Sequence, residues 1–255
     1  MSSARLNVLN NRDYNYVSLV RILFIDASLS FNVHFNRSLL LPSAPSMTIR
    51  DAYTKWSRTY DSDRNLTRDL DQIVTETLFR GRQYDSILEL GCGTGKNTAF
   101  LTRIGRRILA VDFSPGMLKK AKARVSSSNV LFVAADLTAR WPCKQNRFDL
   151  IVCNLVLEHI ADLDAVFFQA SEALTEGGSF FISELHPYRQ YDGKRAVFQN
   201  EQDTLEIPAF VHHLSDFTNA ARQNGFSLQL MQEWWHDEDA GKPPRLVSFL
   251  FEKLC

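Results

Sequence analysis

The chain has 255 residues, which is enough for one domain with a sizeable core. Its 29 basic and 29 acidic side chains cancel, so we expect no nucleic-acid partner and no membrane surface, and a small or neutral substrate is favoured. The four cysteines form no CxxC pair and no histidine cluster has metal-ligand spacing, so we expect no metal. Scattered thiols suit a reducing compartment, and no apolar run reaches the ~18 residues of a membrane helix, so we expect a cytoplasmic protein.

Residues 1–46 differ in composition from the rest of the chain. They carry four Arg, two Asp and eight Ser, but no Lys and no Glu, and Pro42 and Pro45 close the stretch as in a linker. An arginine- and serine-rich leader is typical of organellar targeting, although an amphipathic pattern is missing; a true start at Met47 is the alternative. We predict that residues 1–46 are a disordered or dispensable extension and that residues 47–255 form one domain.

From Met47 onward, short apolar runs alternate with helical patterns. Strands are predicted at residues 86–90, 107–111, 130–134, 148–154 and 179–185, and helices at residues 65–79, 96–104 and 162–174, after Ser114, and at residues 215–224. This alternation predicts an α/β fold with a parallel sheet and helices on both faces. The last two strands, residues 226–234 and 246–252, lack a crossover helix between them and should form an antiparallel hairpin, which gives a seven-stranded, mostly parallel sheet.

The first predicted strand runs into a glycine-rich loop. Gly91, Gly93 and Gly95 stand at alternate positions, so the backbone can turn tightly and a ligand can approach it without meeting a Cβ atom. A dinucleotide fingerprint would need its third glycine at Lys96, so that pattern fails here. The loop therefore favours a ligand without a phosphate group.

Two acidic residues stand at the ends of the next strands. Asp112 ends the second strand, where a carboxylate can accept two hydrogen bonds from a ribose diol. The alternative is that Asp112 caps the following helix, although Ser114 is available for that role with Pro115 at the first helical position. Asp136 ends the third strand and could accept from an exocyclic amine, or it could be a solvated loop acid.

Four motifs occur in a characteristic order at residues 89–95, 111–114, 135–136 and 148–152. Together they resemble the class I S-adenosylmethionine-dependent methyltransferases, in particular the ubiquinone- and biotin-pathway enzymes, over about residues 48–255. The resemblance implies a Rossmann-like fold, S-adenosylmethionine as the cofactor and methyl transfer that yields S-adenosylhomocysteine.

The resemblance also implies a set of cofactor-binding residues. Glu89 and the glycines would lie at the methionine moiety, Asp112 would hold the ribose hydroxyls, and Asp136 would meet the adenine amine. Asn154 and Leu155 would lie beside the sulfonium. The full predicted set is Tyr53, Trp56, Tyr60, Glu89, Gly91, Cys92, Gly93, Gly95, Asp112, Phe113, Met117, Asp136, Leu137, Asn154 and Leu155. Its first three members resemble an N-terminal lid, and the alternative is that they are ordinary aromatic residues of a helix face.

The acceptor side is predicted from polar residues that follow the fourth and fifth strands. His186 follows the fifth strand and could act as a base near neutral pH, or it could fix the turn before Pro187. His159 is expected to be structural. Residues 186–216 mix aromatic and basic groups and are predicted to form an acceptor pocket or lid, in which Arg189 and Arg195 could meet an acidic acceptor or remain solvated.

These patterns predict an enzyme that methylates an O, N or C nucleophile of a small molecule. The alternatives are a protein or RNA methyltransferase and a non-catalytic module that only binds S-adenosylmethionine. Enzymes that methylate amino groups of DNA carry an Asn/Asp-Pro-Pro-aromatic motif after the fourth strand, and residues 154–157 lack its prolines. The sequence fits a monomer and a dimer equally.

Overall fold

The structure is a computed structural model that describes residues 48–193, 197–199 and 204–255. The predicted N-terminal extension lies outside these residues and stays a prediction. In the part of the chain that is described, no helix is both long enough and apolar enough to cross a bilayer.

The secondary structure alternates between helices and strands through most of the chain. In chain order the elements are α1 (Ile49–Trp56), α2 (Leu66–Phe79), β1 (Ile87–Leu90), α3 (Lys96–Ile104), β2 (Ile108–Asp112), α4 (Pro115–Arg124), β3 (Val130–Ala134), β4 (Phe148–Asn154), α5 (Leu163–Ala173), β5 (Leu174–Leu185), α6 (Pro187–Tyr191), β6 (Val197–Gln199), β7 (Thr204–Glu206), α7 (Leu214–Gln223), β8 (Phe226–Trp234) and β9 (Leu246–Lys253). Short 3-10 turns stand at Leu157–His159 and Asp237–Asp239.

Seven of the strands form one mixed sheet in the order β3-β2-β1-β4-β5-β9-β8. The first five are parallel, and β9 pairs antiparallel with both β5 and β8. The predicted fold class, with its antiparallel C-terminal hairpin, is confirmed. The strand order reverses between β1 and β4, and in open α/β sheets ligands bind at this reversal, beyond the carboxyl ends of the strands.

Two apolar cores cover the two faces of the sheet. On one face α2 and α3 pack against β1 and β4, and on the other face α5 and α7 pack against β5 and β9. In the second core, Phe167 of α5 meets Phe180 at 5.2 Å, Phe226 at 5.8 Å and Phe251 at 5.3 Å between ring centroids, all edge to face. Aromatic pairs favour this arrangement, so the cluster ties α5 to three strands of the sheet.

Two connections differ in kind from the rest. Strand β5 begins at Leu174, five residues earlier than predicted, and Leu174 pairs with Phe148 before the register shifts. Gly177 adopts a φ of 70°, so the strand accommodates this irregularity without a separate loop. The connection from β3 to β4, residues 135–147, contains no helix.

We expect Phe167→Ala to lower the free energy of unfolding by ~3–5 kcal/mol, because it removes a fully buried ring and leaves a cavity. Phe168→Ala is the matched control, since the neighbouring ring is 57% exposed and its loss should change stability by about 0.5 kcal/mol or less. Urea unfolding followed by circular dichroism measures both. Equal destabilisation by the two substitutions would contradict the packing of α5 described here.

Candidate active site

A cavity of about 440 Å³ lies beyond the carboxyl ends of β1, β2, β3 and β4, where the strand order reverses. Eleven of the predicted cofactor-binding residues line it: Tyr53, Tyr60, Gly91, Gly93, Asp112, Phe113, Met117, Asp136, Leu137, Asn154 and Leu155. The other lining residues are Thr48, Ile49, Arg50, Ala135, Thr138, Val156, His159 and Ile160. The topology therefore brings together residues from three of the four motifs, from the end of β4 and the turn after it, and from α1.

The glycines of the loop after β1 serve different steric needs. All three have positive φ, with values of 68° at Gly91, 53° at Gly93 and 79° at Gly95. A Cβ atom at Gly91 would lie 2.3 Å from a methyl group of Val156, and one at Gly95 would lie 3.1 Å from Ala121. At Gly93 a Cβ atom would meet nothing within 4 Å. Gly91 and Gly95 are thus required for close packing, whereas Gly93 leaves room on the cavity side.

Asp112 links the glycine loop to the end of β2. Its Oδ2 atom accepts a hydrogen bond from the Gly93 N–H at 2.9 Å, and its Oδ1 atom accepts from the Ser114 N–H at 2.8 Å. Burial raises the pKa of this carboxyl to about 6. Ser114 caps α4 through the Met117 N–H, as predicted. Each Asp112 oxygen keeps further acceptor capacity, so the residue can fix the loop and still receive donors from a ligand.

The far end of the cavity has an apolar surface with one acid at its rim. Phe113, Met117 and Leu137 line it, and the Met117 side chain is fully buried. Asp136 is exposed, and its Oδ1 atom accepts from the Thr138 N–H at 2.9 Å and from the Thr138 hydroxyl at 2.7 Å. The second oxygen remains available to a donor from a flat ligand lying on the apolar surface.

The opposite end adjoins a smaller pocket of about 60 Å³ that is lined by Glu89, Cys92 and Asp71. Glu89 accepts from the Thr98 hydroxyl at 2.5 Å, and burial raises its pKa to about 8. Asp71 of α2, which sequence reasoning missed, accepts from Asn154 at 2.7 Å, and burial raises its pKa as well. Two buried carboxyls at this end suit a positively charged group, because a cation would favour their ionised forms.

Helix α1 covers the cavity from the N-terminal side. Tyr53 lines the cavity, with its ring centroid 6.1 Å from that of Phe113, and burial raises its pKa well above 10. Burial also raises the pKa of Tyr60 to about 12, with the Arg68 guanidinium 3.9 Å from its ring centroid. Trp56 is buried below this surface among Ala52, Ile207 and neighbouring apolar groups, so it supports α1 instead of lining the cavity.

His159 is the residue of greatest chemical interest that sequence reasoning left aside. Its Nε2 atom lies 2.7 Å from the Tyr53 hydroxyl, and its Nδ1 atom lies 3.0 Å from the Pro208 carbonyl oxygen. Because a carbonyl can only accept, Nδ1 carries the proton and Nε2 accepts from Tyr53. Its position after the fourth strand is the signal that could have drawn attention to it, because that strand end also reaches the cavity.

Residues 207–213 of the insertion hold the turn that carries His159. The Phe210 N–H donates to the Glu158 carbonyl oxygen at 2.7 Å. The His212 Nε2 atom lies 3.1 Å and 2.8 Å from the carbonyl oxygens of Leu157 and Ile160. The insertion therefore contributes to the cavity by holding the turn that carries His159, and none of its described residues is among those that line the cavity.

Comparison with known proteins shows which proteins the chain resembles. Residues 88–182 match the family model described as "Methyltransferase domain". The biotin biosynthesis bifunctional protein BioHC of Saccharophagus degradans is 28% identical over 188 residues, which are 71% of this chain and 33% of that protein. The ubiquinone biosynthesis O-methyltransferase of Xanthomonas euvesicatoria pv. vesicatoria is 29% identical over 140 residues, 53% of this chain and 57% of that protein. The chain thus spans less than two thirds of either relative.

A solved S-adenosylmethionine-dependent methyltransferase from Mesorhizobium loti has the same fold, with a TM-score of 0.63 and 19% identity over 74% of this chain and 100% of that one. Residues 88–182 therefore form a methyltransferase domain, and the chain resembles the class I S-adenosylmethionine-dependent methyltransferases. The predicted resemblance and the predicted cofactor, S-adenosylmethionine, are confirmed.

His186 is not among the described residues that line the cavity. It caps α6, where its Nδ1 atom accepts from the Tyr188 N–H at 3.1 Å, so Nε2 carries the proton and donates to Glu233 at 2.9 Å. Burial lowers the pKa of His186. Both ring nitrogens are engaged.

The structure describes one of the two arginines that were predicted for the acceptor side. Arg189 lies 3.0 Å from the buried carboxylate of Asp239 and donates to the carbonyl oxygens of Pro243 and Pro244, so its guanidinium is used within the fold. Arg195 lies outside the described residues. Arg50 of α1 is the one Lys or Arg side chain among the described residues that line the cavity.

Proposed function

We propose that this methyltransferase transfers the methyl group of S-adenosylmethionine to a small-molecule acceptor and releases S-adenosylhomocysteine. The observation that carries the proposal is the cavity at the strand reversal. One end of it, at the glycine loop, suits a cofactor, and the hydrogen-bonded side chains of Tyr53 and His159 line it as well. One continuous space thus offers a place for the methyl donor and polar groups for the acceptor.

The cofactor fits the residues at the strand ends. Gly93 leaves open space beside the loop for the methionine moiety, and Glu89 lies at the adjoining pocket for its ammonium group. Asp112 can receive the two ribose hydroxyls with the acceptor capacity that its backbone partners leave. Met117 and Asp136 suit the adenine ring and its amine.

When bound, S-adenosylmethionine supplies an electrophilic methyl carbon, whose bond to sulfur breaks as the bond to the acceptor nucleophile forms. Tyr53 and His159 can remove the proton that an acceptor hydroxyl or amine must lose. The Tyr53 oxygen takes the acceptor proton while the Tyr53 proton passes to His159 Nε2 over 2.7 Å. The Pro208 carbonyl at Nδ1 and the Glu158 carboxyl, 3.7 Å from Nε2, favour the resulting imidazolium.

The partial cover over the cavity supports a small acceptor over a protein or RNA. Helix α1 and the turn at Leu157–His159 meet over it through the contact between Tyr53 and His159. A chain of zero net charge adds no general attraction for a phosphate polymer. The four free thiols suit a reducing compartment, and we propose the cytoplasm.

Asp112→Asn should weaken S-adenosylhomocysteine binding by ~1.5–3 kcal/mol, about 10- to 150-fold, because it removes a charged acceptor and places an amide against the Gly93 N–H. In the parent protein the carboxyl has a pKa of about 6, so affinity should fall by about tenfold from pH 7 to pH 5 as it becomes protonated. This fall in affinity between pH 7 and pH 5 should be absent in Asp112→Asn. Calorimetry at both pH values tests it, and equal affinity of parent and variant would remove Asp112 from the cofactor site.

The reaction itself is tested with S-adenosylmethionine and separate pools of small acids, phenols and amines, followed by mass spectrometry. We expect S-adenosylhomocysteine and one methylated product to form together. Calorimetry with NAD is the control for the cofactor, because the glycine spacing does not match a dinucleotide loop. Micromolar binding of NAD without binding of S-adenosylmethionine, or methylation of added RNA or protein alone, would contradict the proposal.

His159→Ala should lower turnover about 100-fold or more while the affinity for S-adenosylhomocysteine stays within about 0.5 kcal/mol of the parent value. His186→Ala is the matched control. It removes a helix cap and a hydrogen bond to Glu233, so it should lower thermal stability and leave turnover per folded molecule nearly unchanged. The reverse pattern would assign the base to His186.

A further inference from the structure

A second large depression lies at the amino ends of β1, β2, β3 and β4, at the opposite end of these strands from the cavity. Its volume is about 1120 Å³. We call it the basic groove, because five cationic side chains line it: Arg106, Arg107, Arg140, Lys144 and Arg147. It shares no residue with the proposed active site.

The charged side chains that line the basic groove are all positive. Among the described residues that line it there is no Asp and no Glu. Arg106 lies 3.3 Å from Asp85, and the other four cations form no ion pair within the described part of the chain. All five side chains are exposed. In a protein of zero net charge this is a local excess of positive charge, which attracts an anionic partner.

The floor of the groove is apolar because the sheet is not covered there. The β3–β4 connection contributes Trp141 and Pro142 but no helix, and Leu131 on the edge strand β3 remains 63% exposed. Leu109 of β2 lies beside it. An exposed leucine on an edge strand is a surface that another chain can cover.

We propose that the basic groove docks an acidic, amphipathic segment of a partner protein, with its apolar side chains on Leu131 and Leu109 and its carboxylates against the five cations. Charge argues against the protein's own N-terminal residues 1–46 as the occupant, because they carry four Arg and only two Asp. The partner would bind at the end of the strands opposite to the cavity, so docking should leave the cofactor site accessible.

A peptide fits the groove better than nucleic acid or a lipid surface does. Proteins that hold single strands stack bases on exposed aromatic rings, but Trp141 and Phe148, the aromatic residues of this lining, are only 5% and 4% exposed. A bilayer presents a broad surface that does not enter a groove, whereas an extended or helical segment can contact its cations and its apolar floor together.

The test uses a fluorescent peptide of about 20 residues, built from Glu and Leu with an amphipathic helical pattern. We expect saturable binding in fluorescence anisotropy that weakens as salt rises from about 50 to about 200 mM. Lys144→Glu/Arg147→Glu should weaken binding at least about tenfold, because it reverses two exposed charges of the groove. Lys119→Glu/Lys122→Glu on α4 is the control, with the same charge change outside the groove and an expected effect below about twofold.

A second pair of matched variants tests the apolar floor of the groove. Leu131→Asp should weaken peptide binding about tenfold or more, while Leu228→Asp, on the edge strand β8 at the other side of the sheet, should not. Affinity for S-adenosylhomocysteine and the melting temperature check the fold of every variant, and Lys144→Gln/Arg147→Gln replaces the charge reversal if that variant unfolds.

No peptide binding by the parent protein, equal losses in groove and control variants, or failure of both Leu131→Asp and the charge changes to weaken binding would each overturn the proposal. A dT oligonucleotide of about 20 nucleotides and vesicles of phosphatidylglycerol with phosphatidylcholine are measured in parallel. If either of these binds in the groove more tightly than the peptide does, the assignment to an acidic protein segment is overturned.

Discussion

The close approach of Gly91 to Val156 sets the geometry of the whole site. These residues follow β1 and β4, the two strands between which the order of the sheet reverses. Any side chain at Gly91 would place a Cβ atom 2.3 Å from Val156, so only glycine lets the two loops lie this near each other. The glycine loop is then held on its other side by the hydrogen bond from Gly93 to Asp112. Moving either loop would shift the cofactor end of the cavity and its acceptor end together.

Among the described residues around this junction, buried acidic side chains outnumber buried basic ones. Glu89, Asp71 and Glu184 are all buried, and burial raises the pKa of each of them. Glu184 also accepts the Val156 and Leu157 N–H groups, so it supports the loop that carries Asn154 and leads to His159. The cost of holding these groups decreases when a cation lies among them. Such a field suits a ligand that arrives with a sulfonium and an ammonium group and leaves with a neutral sulfur.

The part of the cavity that we propose for the acceptor is built from segments that come from three separate parts of the chain. Helix α1 supplies Tyr53, the turn after β4 supplies His159, and the residues just before α7 supply the Pro208 carbonyl. No one of these segments provides the set of contacts by itself. The chemistry proposed for them depends on the fold, which brings α1 and residues 207–213 against the turn after β4.

The sequence by itself determined the strands, the hairpin, the glycine loop and the place of Asp112, because these depend on local periodicity and on short-range backbone needs. Parallel strands put their carboxyl ends at one edge, so residues that follow them are brought together by topology alone. The tertiary structure gives His186 and His159 different surroundings. His186 is occupied by its own helix and Glu233, whereas His159 meets a tyrosine 106 positions away. The basic groove likewise combines cations from two loops that are more than 30 residues apart in the sequence, and no local pattern shows which distant side chains share one surface.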